Sequence, residues 1–186
     1  MRFRLAAVLC VLFLFSGCKG TTDSLDRAIA LRNKLLHADG CSFGATITAD
    51  YGEQIYEFKM DCETDREGNL TFTVTEPATI AGITGTVSTS GGAITFDDKV
   101  LAFQTIADGL VTPVSAPWLL IKTLRSGYLK DSAAIEQGFE ISIDDSYAEE
   151  SLQLRIRTQG DVPAFAEIFW QGRRILTIAV ENFSFL

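Results

Sequence analysis

Histidine and positive charge are scarce in this chain. Its 186 residues contain one histidine, His37, and 16 lysines and arginines stand against 24 aspartates and glutamates, a formal net charge of −8. A single histidine cannot build a multi-histidine metal centre, and it argues against histidine-based catalysis. Coating a nucleic acid requires a surplus of lysine and arginine to neutralise phosphates. We therefore expect no nucleic-acid partner.

Motifs of the common catalytic and cofactor sites are missing or stand in the wrong context. Ser42 has the Gly-x-Ser-x-Gly spacing but lies within a predicted strand rather than in the strand-to-helix turn of a nucleophile elbow, and the Ser-x-x-Lys pair of Ser16 and Lys19 falls at the end of the amino-terminal apolar run. The acidic pairs Asp97-Asp98 and Asp144-Asp145 do not match a calcium-binding loop. The glycine-rich stretch 82–92 lacks the lysine and the following helix of a phosphate-binding loop. These absences predict a protein that is not an enzyme and holds no cofactor or metal.

The amino terminus has the pattern of an export signal. Arg2 and Arg4 precede an uncharged apolar run of 11 residues, Leu5–Phe15, shorter than the roughly 18 residues of a membrane-spanning helix. The run ends in Ser16-Gly17-Cys18, which resembles the lipobox of bacterial lipoproteins. The alternative is a plain secretory signal that contains a cysteine by chance.

This pattern predicts the domain organisation and the location. We expect a signal peptide over 1–17, a lipidated tether over 18–23 that begins at Cys18, and one folded domain over 24–186. Acyl chains on Cys18 would anchor the protein to the membrane without spanning it. The domain would face outward from the bacterial cell membrane, or lie on the outer membrane if the source has two.

The two remaining cysteines lie on either side of a predicted hairpin. A two-residue turn at Tyr51-Gly52 places Cys41 directly opposite Cys62, on the same face of two alternating strands. Direct neighbours in such a pair are close enough for a disulfide, and export exposes the chain to an oxidising compartment. We therefore predict a Cys41–Cys62 disulfide, with two unpaired buried thiols as the alternative.

Hydrophobic periodicity predicts two helices and a majority of strands. One helix begins with a cap at Asp23 and ends before Gly40, and a second runs over 115–126 between strands. Leu25, Ala28, Ile29, Leu35 and Leu36 form the predicted buried stripe of the first helix. Most of the rest alternates between apolar and polar residues, with a predicted bulge near Asn182. The predicted fold is α+β, a single antiparallel sheet with both helices on one face.

The order of these elements, together with short motifs, resembles a known superfamily. The motifs are Thr75-Glu76-Pro77, the proline-led apolar segment 116–121, and the final hairpin over 166–183 that ends in Glu181-Asn182-Phe183. The chain resembles the LolA/LolB-like lipoprotein carriers, and among them small lipidated envelope lipoproteins of Gram-positive clostridia. The resemblance implies a curved sheet, a half-open β-barrel, whose mouth is covered by the N-terminal and mid-chain helices.

The resemblance further implies a hydrophobic ligand, such as a lipid or the acyl chains of a lipoprotein. The ligand would lie between the sheet and the helices, against Phe43, Ile47, Tyr56, Phe58, Leu70, Phe72 and Val74 with Trp118, Leu120, Ile121 and Leu124 as a lid. The same residues could instead be an ordinary filled core, because an amphipathic sheet must bury one face. In that case we expect a scaffold lipoprotein that binds another protein of the envelope or spore.

Overall fold

A single curved antiparallel sheet forms the body of the protein. The computed structural model describes residues 19–88, 91–93 and 106–186. The predicted signal peptide and Cys18 lie outside these ranges, as do residues 100–103, for which the sequence predicts a short strand. The helices are α1 (Lys19–His37) and α2 (Ala116–Ser126), the latter preceded by a 3-10 turn (Pro113–Ser115). The strands are β1 (Cys41–Asp50), β2 (Ile55–Thr64), β3 (Leu70–Glu76), β4 (Thr84–Ser88), β5 (Gly91–Ala93), β6 (Tyr128–Ile135), β7 (Gly138–Asp144), β8 (Gln153–Gln159), β9 (Val162–Trp170) and β10 (Arg173–Phe185).

The sheet has ten strands in the order β5-β4-β3-β2-β1-β10-β9-β8-β7-β6. Strands that follow one another in the chain lie side by side in the sheet, except β5 and β6, which α2 separates along the chain. Strand β1 also pairs with β10. The first and last strands of the chain therefore meet in the middle of the sheet. The α+β half-barrel with two covering helices is confirmed.

Alternation along the strands sorts residues between an inner and an outer face. On β1 every second residue from Cys41 to Ala49 is buried, and the residues between are partly exposed. The helices cover the inner face, with α1 packed against β6 and β7 and α2 against α1, β7 and β10. An amphipathic sheet gains stability from this arrangement because apolar surface leaves water.

The first helix differs from its prediction in both its start and its buried stripe. It is already helical at Lys19, so Asp23 is not its cap and the predicted tether is helical over 19–23. Ala28 and Leu35 are buried as expected, together with Leu31, which the prediction omitted. Leu25, Ile29 and Leu36 are instead 40%, 46% and 43% exposed, since the helix is rotated about its axis from the predicted orientation.

The bulge near Asn182 is confirmed. The pairing of β1 with β10 shifts between Ser42 and Gly44, and Asn182 has a positive φ of 53°. Asparagine tolerates this left-handed conformation better than most residues. Strand β6 was missed, because its sequence around Asp131 lacks the alternation that marks a half-buried strand.

Candidate functional site

The eleven predicted ligand-lining residues separate into a buried set and two exceptions. Tyr56 is 54% exposed and Trp118 is partly buried at the edge of the core. The other nine are each less than 5% exposed: Phe43, Ile47, Phe58, Leu70, Phe72, Val74, Leu120, Ile121 and Leu124. All nine belong to the hydrophobic core formed by the sheet and the helices.

The helices and the sheet leave only a small gap between them. Beside Ala28, Leu124, Ile141 and Ile143 its volume is about 20 Å³, the space of a single water molecule. This part of the interior is a filled core.

A larger cavity opens at one end of the half-barrel, where β1 ends and β10 begins. Its volume is about 650 Å³, and apolar walls come from Tyr51, Ile106, Ala107, Trp170 and Ile175. We call this space the mouth cavity. Its volume falls within the range of about 300 to 1,000 Å³ typical of small-molecule sites.

Three local features build the mouth cavity. The pairing of β9 with β10 shifts between Arg174 and Leu176, and the extra residue, Ile175, is buried beside Leu176. A tight turn over 106–111, closed by the Ile106–Val111 bridge, supplies the facing wall. Within it Ala107 has a φ of 55°, a conformation that costs free energy for a residue with a Cβ.

Four of the ten residues that line the mouth cavity are polar or charged: Asp50, Asp108, Gln171 and Arg173. The Arg173 guanidinium lies 3.0 Å from the Asp50 carboxylate at the rim. The buried indole Nε1 of Trp170 has no hydrogen-bond partner among the described residues. Burial, and then the neighbouring Tyr56, raises the pKa of the Tyr51 hydroxyl, so this group stays protonated at neutral pH.

A second, smaller cavity lies on the other side of the same turn. It has a volume of about 210 Å³ and is lined by Leu110, Trp118 and Leu152, among others. The Lys122 ammonium lies 5.2 Å from the Trp118 ring centroid, and the Trp118 Nε1 also lacks a partner among the described residues. Trp118 therefore faces this end of the half-barrel rather than a cavity under the helix.

The tryptophans and tyrosines of the chain lie at this end of the half-barrel. The chain has two tryptophans and four tyrosines. Tyr51 contacts Tyr56 edge to face, and Tyr128 contacts Tyr147. Strand register places Tyr51, Tyr56 and Trp170 where β1 and β9 finish and β2 and β10 start, and Tyr128 at the matching start of β6. Tyr147 lies in the loop after β7, and Trp118 lies in α2. The sequence did not point to Tyr51, Trp170 or Ile175, because only the pairing of β1 with β10 brings them together.

The cysteines correct the predicted hairpin register. The loop between β1 and β2 spans Tyr51–Gln54, longer than the predicted two-residue turn, and the pairing shifts by two residues. Cys41 therefore pairs with Thr64, and Cys62 with Phe43. A shift by an even number keeps both cysteines on the inner face but moves them out of direct opposition.

Both thiols are free and buried, so the predicted disulfide is absent from the structure. The Cys41 sulfur lies 3.1 Å from the Thr64 hydroxyl. Burial raises the pKa of Cys62 far above its usual value, with a further contribution from Asp61, and burial also raises the pKa of Cys41. Neither thiol is a reactive nucleophile at neutral pH.

Within the described ranges, no three His, Cys, Asp or Glu side chains form a group that could hold a metal ion. Neither described helix is long and apolar enough to cross a bilayer.

Comparison with known proteins finds similarity only among solved structures. No family model matches the chain, and no curated protein matches it. A LolA superfamily protein from Nitrosomonas europaea has a TM-score of 0.43 at 10% identity, with 90% of this chain and 94% of that chain covered. An uncharacterized conserved protein from Thermus thermophilus has a TM-score of 0.44 at 12% identity and 88% coverage of both chains.

A third similar structure is a putative outer membrane lipoprotein-sorting protein domain from Vibrio parahaemolyticus. Its TM-score is 0.38 at 8% identity, with 88% of this chain and 92% of that chain covered. The Nitrosomonas europaea protein carries the name of the superfamily that the sequence resembles.

Proposed function

We propose that the protein is an envelope lipoprotein, anchored through lipid on Cys18, that binds one apolar chain in the mouth cavity. The observation that carries the proposal is the 650 Å³ cavity walled by Tyr51, Ile106, Trp170 and Ile175. The proposed ligand site lies at this end of the half-barrel and not in the predicted sheet–helix interior, since the interior residues are packed.

The polar groups indicate the chemical class of the ligand. An alkyl chain gains about 0.8 kcal/mol for each buried CH₂ group. A carboxylate at one end of the chain would pair with the Arg173 guanidinium at the rim of the mouth cavity. A fatty acid, or the acyl chain of a lipid or lipoprotein, meets these requirements.

Fatty-acid binding tests the proposal on residues 19–186 purified without detergent. The probe is dibromostearic acid, which quenches tryptophan fluorescence over short distances. Trp118→Phe leaves Trp170 as the reporter, and Trp170→Phe leaves Trp118. We expect saturable quenching that is stronger in Trp118→Phe. No saturable quenching in either variant contradicts the proposal.

A matched pair of substitutions localises the site. Ile106→Asp places a charge in the mouth cavity, whereas Leu110→Asp places one on the same turn at a residue that is 56% exposed. We expect Ile106→Asp to weaken binding at least about tenfold, because an unpaired charge is costly in an apolar site. Equal affinity in the two variants would move the ligand elsewhere.

A scaffold with a filled core and no ligand is the second candidate function. The packed interior around Ile47, Leu70 and Leu120 favours it, since each of these side chains is fully buried. Extraction of the natively purified protein into organic solvent, followed by mass spectrometry, separates the two. Stoichiometric lipid supports the ligand-binding function, and an empty extract without uptake of the fatty-acid probe supports the scaffold.

A further inference from the structure

The outer face of β8, β9 and β10 carries a cluster of arginines and phenylalanines. Strand register brings Arg155 opposite Glu167 and Arg157 opposite Phe165, while Arg174 lies opposite Phe169. We call these six residues the arginine face. Their strand neighbours Leu154, Ile156, Ala166 and Ile168 point to the core and are buried.

The arginine face is held in place by a buried carboxylate and by ring contacts. The Glu167 carboxylate accepts hydrogen bonds from Arg174 Nη1 at 2.8 Å and from Arg157 Nη2 at 3.2 Å. The Arg157 guanidinium also lies 4.9 Å from the Phe165 ring centroid. These contacts order the side chains before any partner arrives, which lowers the entropy cost of binding.

Arg155 is positioned differently from the other two arginines. Its guanidinium lies 5.3 Å from the Phe169 centroid, but its nearest carboxylate oxygens, on Glu140 and Glu167, are 3.9 and 4.0 Å away. These separations exceed hydrogen-bond length. Its N–H donors can therefore serve an incoming acceptor.

A cleft of about 420 Å³ adjoins Arg155. Its walls include Lys130, Ser142, Gln153 and Phe169. The Lys130 ammonium lies 2.8 Å from the Asp144 carboxylate. The cleft thus combines two cationic side chains, the Asp144 carboxylate paired with one of them, one aromatic ring and neutral hydrogen-bonding groups.

The charge of this surface differs from that of the chain as a whole. The arginine face and cleft hold four cations, Arg155, Arg157, Arg174 and Lys130, against the carboxylates of Glu140, Asp144 and Glu167. The whole chain has a net charge of −8, which would repel an anionic bilayer. Arginine and aromatic side chains are also enriched at protein–protein interfaces.

We propose that the arginine face and its cleft dock an acidic, aromatic-containing peptide segment of a protein partner. A carboxylate of the partner pairs with Arg155 and Lys130, and an apolar side chain packs on Phe169. The surface is distinct from the mouth cavity, since Phe169 and its neighbour Trp170 point to opposite faces of β9. The inference does not depend on the proposed ligand.

Fluorescence anisotropy with a labelled peptide of alternating glutamate and phenylalanine tests the inference on residues 19–186. The variants are Arg155→Gln and Lys130→Gln, and both leave the hydrogen bonds from Arg157 and Arg174 to Glu167 intact. Arg66→Gln is the matched control, because Arg66 is an exposed arginine 3.8 Å from Asp39 on a distant turn. Circular dichroism verifies that each variant is folded.

We expect saturable binding that weakens at least about fivefold in both cleft variants and stays unchanged in Arg66→Gln. An equal loss in Arg66→Gln would mean unspecific charge attraction and would overturn the inference. Equally tight binding of a lysine–phenylalanine peptide, or no saturable binding at all, would also overturn it. So would binding to phosphatidylglycerol vesicles, sensitive to Arg155→Gln, without binding of the peptide.

Discussion

Replacement of Glu167 by glutamine removes the negative charge on which the arginine face is built. The side chain is 8% exposed and lies within 4.0 Å of three guanidinium groups. Burial alone would raise the pKa of Glu167, but hydrogen bonds and charge from Arg174 and Arg157 outweigh it and hold the pKa below its ordinary value. The folded protein therefore favours the ionised carboxylate.

The expected loss of stability follows from the two short contacts. Hydrogen bonds to charged groups contribute about 1.5 to 3 kcal/mol each. Arg157 and Arg174 are 45% and 57% exposed, so water partly replaces what they lose, and glutamine retains one acceptor oxygen. We expect Glu167→Gln to lower the free energy of unfolding by about 1 to 2 kcal/mol at pH 7.

Urea unfolding at several pH values measures this difference. Because the pKa of Glu167 is lowered by folding, its contribution is complete above the unfolded pKa of about 4.3 and disappears as pH falls through the folded pKa. The gap between the parent protein and Glu167→Gln should therefore close in acid. Glu63→Gln, at an exposed position on the outer face of β2, is the control and should change stability by less than about 0.5 kcal/mol.

Two results would refute this reasoning. The first is a loss in Glu167→Gln no larger than that in Glu63→Gln at pH 7. The second is a gap that persists unchanged below the folded pKa, because a purely steric effect does not depend on protonation.

Two further predictions concern the cysteines. Titration of residues 19–186 with a thiol reagent, without reductant, should find Cys41 and Cys62 unreactive in the native protein and two free thiols after denaturation; no free thiol in the denatured protein would show that a disulfide forms. In the full-length chain, Cys18→Ser should release the protein from the membrane fraction while leaving its melting temperature unchanged, and membrane retention of this variant would contradict a lipid anchor at Cys18.

Much of the fold could be predicted from the sequence because the signals are local. The alternation of Leu70, Phe72 and Val74 with threonines predicts a half-buried strand, and the structure buries these three side chains. The proline in the first turn of α2 and the bulge at Asn182 were equally readable. Each of these features depends on backbone preferences within a few residues.

The errors arose where a local pattern permits more than one register. Shifting β2 by two residues preserves the inner and outer faces, so alternation alone could not distinguish a Cys41–Cys62 pair from the observed Cys41–Thr64 pair. The length of the loop over Tyr51–Gln54 decides between them. On α1, rotation of the helix about its axis brings Leu31 onto the buried stripe and turns Ile29 toward solvent, because apolar residues at helical spacing occur on more than one face of this helix.

The sequence by itself determined which residues are apolar, where the chain alternates and therefore that a half-buried sheet with two helices forms. Only the tertiary structure decided which side chains lie next to one another. The mouth cavity requires the end of β1 beside the start of β10, and the arginine face requires β8, β9 and β10 in register. These contacts join residues far apart in the chain, such as Tyr51 and Trp170, and hydrophobic patterning does not specify which strands pair.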